Sequence, residues 1–560
     1  MKLKNIILTL ICLTAFFACE DEMDYNEFVN YSEEQVFTSF DRTRGFVTNI
    51  YSYLDYDFGN YGGAMLASAS DESEYAWTSS SIHDFYNGAW SASNPKADVW
   101  SSSYTAIRSA NFFLETSQGQ TFSDFKYNKD YNEEMERFER YQYEVRFLRA
   151  YFYFNLVRQY GDIPLTTSVL TEDEANSLSR TSAEDIFDFI VSECDDIVNM
   201  LPSSYDGLTY KETGRVTRTA ILALKARTLL YQASPLFNPN NDESLWKEAA
   251  LANKAVIDSC ATYGIKLDTY SALWGTDNYD ASEMILVRRI GDSDNLEYSN
   301  FPIGVEGGNS GNCPTQTLVD AYEMQATGLL WNEAGSGYNP DKPYEGKDPR
   351  FALTIAKNED IGWPNYNAQA LQIYEGGANG SPISGATPTG YYLKKYLDAS
   401  VDLRPDYSTS KRHSWITYRL GEFYLNYAEA VFNYLESADA TSAEFTLSAR
   451  DAVNVIRQRS GVGMPDFPLA LTNQEFEKKY KNERMVELAF EGHRFWDIRR
   501  WKDGDVLKTI TNMKISKVSD EEYTYTRVVK ERSWNDKMYL FPIPDSERRK
   551  NTNLTQNSGW

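Results

Sequence analysis

The chain is poor in the side chains that most often do chemistry. Histidine occurs three times in 560 residues, as His83, His413 and His493, and cysteine five times. An HExxH metal helix is missing, and so are a glycine-rich phosphate loop after a strand and a GxSxG elbow. No metal site and no cofactor is expected. Basic residues number 55 against 81 acidic ones, a formal net charge of −26. A nucleic-acid footprint and a patch for anionic lipid would both be basic, so neither partner is expected. The longest apolar run near the start, Ile6 to Phe17, is too short to cross a bilayer comfortably, which disfavours a transmembrane anchor. A glycosidase needs only two carboxylates at a suitable separation, and 81 acidic residues leave that reading open. What is plentiful is aromatic: 40 Tyr, 29 Phe and 12 Trp suit packed helices or a surface that stacks on flat ligands.

The first residues read as an export leader over 1–18, with Lys2 and Lys4, the Ile6–Phe17 run and the small Ala18. Cys19 directly after Ala18 resembles a lipobox, which implies cleavage before Cys19 and acylation of its thiol. The run Glu20, Asp21, Glu22 resembles the acidic signal of surface lipoproteins, and several acyl chains anchor firmly where one does not. Residues 19–40 then read as a lipidated tether. Of the remaining cysteines, Cys194, Cys260 and Cys313 are widely spaced: two could pair in an oxidising compartment, or all three could be buried thiols.

Apolar periodicity predicts helices from about Asp41 to Tyr53, Trp100 to Glu115, a long one around Phe138–Leu156 that is apolar on two faces, and Glu184 to Met200. Gly161 and Pro164 stop the long one. Thr219–Ala233 with Leu245–Ser259, and Thr417–Tyr434 with Phe445–Arg459, read as two helical hairpins with small residues that let the helices approach closely. Between them, 268–413 loses helical periodicity and is too long to be structureless, so it must fold as a mixed subdomain, with Met284–Val287 as a candidate strand. The expected architecture is mostly α: tetratricopeptide-like hairpins cradling an irregular, loop-rich subdomain with a few short strands. The regions are 41–267, helical with loops at 55–94; the insert, 268–413; and a second helical region, 414–560.

One stretch anchors the rest: Lys481 to Trp501, KNERMVELAFEGHRFWDIRRW. Met485, Leu488 and Ala489 fall at helical intervals with Glu483, Arg484 and Glu487 between them, an amphipathic helix that Gly492 interrupts. The arginines and aromatics that follow want burial, and Glu487, Glu491 and Asp497 are near enough to pair with them. A catalytic reading would take Glu491, His493 and Asp497 as acid, base and orienter; without a second His or Cys cluster the structural reading is preferred.

This stretch, with Tyr539-Leu-Phe-Pro-Ile-Pro544 and the terminal Asn553-Leu-Thr-Gln-Asn-Ser-Gly-Trp560, resembles the C-terminal signature of the SusD/RagB family. The phrases YTAIRSANFFLE, VRFLRAYFYFNLVRQYGDIPL and NCPTQTLVDAYEM extend the likeness over nearly the whole chain. The resemblance implies a SusD-like fold and a lipoprotein anchored in the outer leaflet of the outer membrane and exposed at the cell surface. It also implies that the protein binds oligosaccharide or polysaccharide without cleaving it, beside a SusC-like TonB-dependent transporter. A non-glycan nutrient such as a peptide is the alternative, then a glycoside hydrolase, then a purely structural lid.

The residues agree with a sugar. A pyranose offers an apolar C–H face to Trp or Tyr and a rim of hydroxyls to Asp, Asn, Gln or Arg. The loops at 55–94 supply Asp71, Glu72, Trp77 and Trp90, and the insert supplies Tyr298, Asn309, Asn312 and Trp331. Each has a plainer role open to it: core packing for Trp90, a turn cap for Asp71.

Overall fold

The computed structural model describes residues 33–520 and 522–560. The expected leader, Cys19 and the tether up to residue 32 lie outside the described residues. Helix α1 (Phe40–Tyr51) is followed by α2 (Trp100–Thr116), α3 (Tyr131–Tyr160), α4 (Ala183–Ile197), α5 (Arg218–Ala233) and α6 (Glu243–Tyr263). Helices α4 to α6 each start at a polar side chain that accepts from the first turn: Ser182 from Asp185, Thr217 from Ala220, Asp242 from Ser244. In α3 the stretch Phe147–Val157 is buried on every face, as two apolar stripes demand, because α2 packs on one side and α4 on another.

Each helix from α2 to α6 packs on the next in sequence. The stack then continues across the insert. Helix α7 (Leu420–Leu435) lies against α6, and α8 (Ala449–Arg457) lies against α7, which is how tetratricopeptide-like hairpins bury a core between neighbours. Two boundaries differ from expectation. Thr417, Tyr418 and Arg419 are strand rather than helix, because their backbone completes a ladder with Met284–Val287; and α8 begins only at its cap, where Ser448 accepts from Asp451.

The strands are β1 (Ser73–Tyr75), β2 (Met284–Ser293), β3 (Asn312–Pro314), β4 (Ile355–Ala356), β5 (Tyr392–Leu393), β6 (Lys411–Arg419), β7 (Thr509–Lys517) and β8 (Tyr523–Glu531). They form two-stranded antiparallel pairs: β1–β3, β2–β6, β4–β5 and β7–β8. The candidate strand at Met284 thus runs on to Ser293. The β7–β8 hairpin was not expected in the region read as helical; Met513 and Ile515 bury one of its faces, and the Met513 N–H donates to the Thr389 carbonyl of the insert. Cys194, Cys260 and Cys313 are all free and buried, the second of the two alternatives.

The anchoring stretch folds as α9 (Asn473–Glu487), a turn through Gly492 with φ 78°, and α10 (His493–Arg500). Met485, Leu488 and Ala489 are buried as expected, but so are Glu483, Arg484 and Glu487, so the charged side of α9 is interior too. Its partners explain this. Arg350 holds Glu483 at 2.6 Å and Glu487 at 2.9 Å, and Arg457 bridges Glu483 and Glu323. Arg419, at the end of β6, reaches Glu283, Glu487 and Glu491 within 2.9 Å. Arg459, Lys395, Lys479 and Asp348 complete one connected network. Its carboxylates are Glu283, Glu323, Asp348, Glu483, Glu487 and Glu491, and its cations are Arg350, Lys395, Arg419, Arg457, Arg459 and Lys479, so the charges cancel. Burial would raise the Glu487 carboxyl, but Arg459, Arg419 and Arg350 outweigh it and hold the pKa down at about 2. This network joins the insert to the helical stack.

Candidate functional site

The eight candidate ligand residues divide between interior and surface. Asp71 is 2% exposed, and both its oxygens are taken by Arg494, from Nε at 2.9 Å and from Nη2 at 2.7 Å. Glu72 is buried, with neither carboxylate oxygen bonded among the described residues; burial and the charge of Asp71 push its pKa well up. Trp90 is 3% exposed, wedged among Phe85, Phe541 and Trp560. The Asn312 amide accepts from the Met65 N–H and the Ser68 hydroxyl and donates to Asn300. These four side chains are buried within the fold: Asp71 and Asn312 are tied into the β1–β3 pair and the loop before it, and Trp90 is packed among aromatics from the C-terminal end.

Trp77, Asn309 and Tyr298 behave differently. Two residues beyond β1, the half-buried Trp77 donates from Nε1 to the Asn309 carbonyl at 2.8 Å, so the indole is pinned to the loop 302–311. Gly385 lies against its six-membered ring: a Cβ there would come within 2.5 Å of the indole, and its φ of 80° also favours glycine. Tyr298, 53% exposed, is on the short helix Asn295–Asn300 that leads into the same loop.

The far side of loop 302–311 carries a cluster that sequence reasoning missed. Leu403 packs on Gly307, where any Cβ would meet it at 2.5 Å, and the Tyr366 hydroxyl donates to the Glu306 carbonyl at 2.7 Å. Arg404 stacks on both Tyr366 and Tyr407, its Cζ 5.4 and 4.6 Å from the ring centroids, while Asp402 grips it bidentately. Tyr407 is 64% exposed. Its setting, Arg404-Pro405-Asp406-Tyr407, holds the signal that could have found it: an aromatic beside turn-forming residues.

One opening flanks these residues. Loop residues around Ile383 and Ala386, next to the glycine that meets Trp77, line one wall of a groove of about 880 Å³, and Lys514, Val528 and Lys530 of the β7–β8 hairpin line the other. Trp331 lies apart from Trp77, under Arg527 of β8 at 3.5 Å and beside Tyr338 at 5.7 Å. The structure therefore brings Trp77, Asn309 and Tyr298 to one loop and gives Trp331 a separate aromatic–guanidinium stack.

The catalytic alternative can be examined at its own residues. Glu491 is held by Arg419 and Lys395, and Asp497 by Arg484 and Arg500, each at 2.7–3.0 Å. No hydrogen bond joins His493 to either among the described residues, and burial together with nearby guanidiniums pushes its pKa well down. The cavity beside Glu491 and His493 measures about 60 Å³. Benzene already needs about 150 Å³, so this space admits water and no sugar ring.

Comparison with known proteins follows the same outline. Residues 282–560 match the model of the SusD family, and residues 27–230 match a model described as starch-binding associating with outer membrane. A SusD-like protein from Bacteroides fragilis is 30% identical, with 94% of this chain and 99% of that one covered and a TM-score of 0.75. A SusD-like carbohydrate binding protein from the same species is 25% identical over 93% of this chain and all of the other, with a TM-score of 0.74. SusD-like protein P25 of Formosa agariphila is 24% identical over 92% of each chain.

Proposed function

Since the chain belongs to the SusD family, a family of carbohydrate-binding proteins, we infer that it captures oligosaccharide at the cell surface on loop 302–311 and passes it, uncleaved, to a SusC-like TonB-dependent transporter. The observation that carries the reading is Trp77. An indole pinned at its nitrogen, backed closely by a glycine and left partly exposed is a rigid apolar platform, which is what the C–H face of a pyranose packs against. Tyr407 and Tyr298 add exposed rings on or beside the same loop, and Arg404 with Asp402 offers donors and acceptors for hydroxyls. The neighbouring groove of about 880 Å³ has room for several sugar rings. Asp71, Glu72, Trp90 and Asn312 act behind the surface, and Trp331 with Arg527 forms an outlying contact.

Among the described residues no helix is long and apolar enough to cross a membrane. Acylation of Cys19 supplies the anchor in this reading, and mass spectrometry of membrane-extracted protein checks it: an unmodified Cys19 would refute the anchor.

The test of binding is a glycan array on soluble protein lacking residues 1–19, followed by calorimetry on Trp77→Ala and Tyr407→Ala with each glycan retained. Saturable binding weakened by both variants is expected. Glycan binding indifferent to both moves the site elsewhere, and release of reducing ends during the titration would replace capture with hydrolysis.

A further inference from the structure

A second cavity, sharing no residue with the loop 302–311 surface, lies between α2, the segment 164–178 and the C-terminal segment. It measures about 220 Å³, against the roughly 150 Å³ that suffices for benzene. Trp100, Ile107, Leu178 and Leu554 make its wall apolar.

Polar groups without partners share that wall. The Arg108 guanidinium makes no hydrogen bond or ion pair among the described residues, and neither the Asn176 amide nor the Ser168 hydroxyl has a partner there. Glu547 gives one oxygen, Oε1, to Lys550 and Ser546, and its Oε2 has no partner among the described residues. An unpaired arginine on a surface is ordinary. Here, however, the free cation and the free carboxylate oxygen border one apolar cavity, in a protein where most guanidiniums are paired.

We propose that this cavity binds a free α-amino acid with an apolar side chain. Its carboxylate would take the planar fork of Arg108, which is shaped for bidentate carboxylate recognition. Its ammonium would meet Glu547 Oε2, with Asn176 and Ser168 as further partners, and the side chain would fill the space among Trp100, Ile107, Leu178 and Leu554. The complementarity selects the class: a fatty acid would leave Glu547 facing an anion without a cation, and an amine would leave Arg108 unpaired. A neutral sugar would waste both charges and bury hydroxyls against leucines.

The experiment is isothermal titration of the soluble protein with phenylalanine and leucine, beside phenylpropionate, phenethylamine and glycine. Phenylalanine and leucine should bind saturably, and each of the other three at least tenfold more weakly. Arg108→Gln should weaken phenylalanine at least tenfold. Ala175→Trp, placed at an exposed rim position that lines the cavity, should abolish binding. Both substitutions lie outside the core, and an unchanged melting temperature confirms that they fold. Absence of saturable heat up to millimolar phenylalanine would overturn the proposal, as would phenylpropionate binding as tightly as phenylalanine, or binding that survives Ala175→Trp.

Discussion

The joint between the insert and the helical stack, and the surface of loop 302–311, are built from the same kinds of residue and put them to opposite uses. At the joint Arg419 is 1% exposed and meets three carboxylates; on the loop Arg404 meets one, and its remaining faces lie on Tyr366 and on the largely exposed Tyr407. Glu487 and Glu491 have every neighbour they need inside the fold, whereas Trp77, pinned at its Nε1, is only partly buried. Stability here resides in saturated charges, and the proposed recognition surface in unsaturated rings. An arginine among aromatics is no pointer to function until its partners are counted.

The comparison can be broken most forcefully at the joint. Arg419→Ala should cost about 3–5 kcal/mol, since three buried carboxylates would each lose one of their cations and the network would be left one positive charge short. A urea midpoint equivalent to less than about 1 kcal/mol would erase the contrast. Arg494→Ala, which orphans Asp71, should cost about 3 kcal/mol by the same logic while leaving glycan affinity of the folded fraction unchanged.

Acid probes the same ion pairs. Burial alone would raise Glu429 and Glu487, yet Arg500 and the Arg459–Arg419–Arg350 group hold both at about 2, below the ordinary value near 4.3. A depressed carboxylate contributes stability that is complete above its unfolded pKa and is lost as pH falls through the folded one. Urea midpoints should therefore be level in this respect from pH 7 to about 5 and decline from about 4.3 towards 2. A decline already complete at pH 5 would show that these pairs do not govern it.

The loop surface should respond in affinity. Trp77→Ala should weaken the selected glycan by about 1–3 kcal/mol, on the scale of ring stacking elsewhere. A sharp fall in melting temperature with affinity intact would make Trp77 core and remove the contrast. Tyr407→Ala is the mildest test: about 0.5–1.5 kcal/mol in binding, with stability shifting by no more than about 0.5 kcal/mol.

Much of the fold was legible because periodicity reports burial. The two apolar stripes of α3 required neighbours on both sides, and α2 and α4 are there. Periodicity reports only apolar burial, however. Glu483 looked like the wet side of α9 because its cations come from positions as distant as Arg350 and Arg457. The β7–β8 hairpin was a misreading of local pattern: its strands TITNMKISK and YTYTRVVKE carry the β-branched and aromatic residues that suit a ladder, and nine pairs join them. At the site, Trp77 stood out for lack of apolar company in its own sequence. Trp90 has equally polar neighbours, but Phe541 and Trp560 reach it from the other end of the chain.

The insert leaves the stack after α6 and returns at α7, and those two helices touch; β2 and β6, near its two ends, are hydrogen-bonded to each other. Departure and return therefore occur at one place, and what lies between is a cassette whose length the stack does not dictate. Exchanging it for another is still subject to a parity rule. The cassette contributes Glu283, Glu323 and Asp348 against Arg350 and Lys395, one negative charge in surplus, while β6 and the helices beyond it contribute Arg419, Arg457, Arg459 and Lys479 against Glu483, Glu487 and Glu491, one positive. A transplanted cassette that arrives neutral at these depths would strand a cation in the interior, so variants of this loop-bearing region can differ freely in their rings and hydroxyl partners only while they keep that single negative surplus.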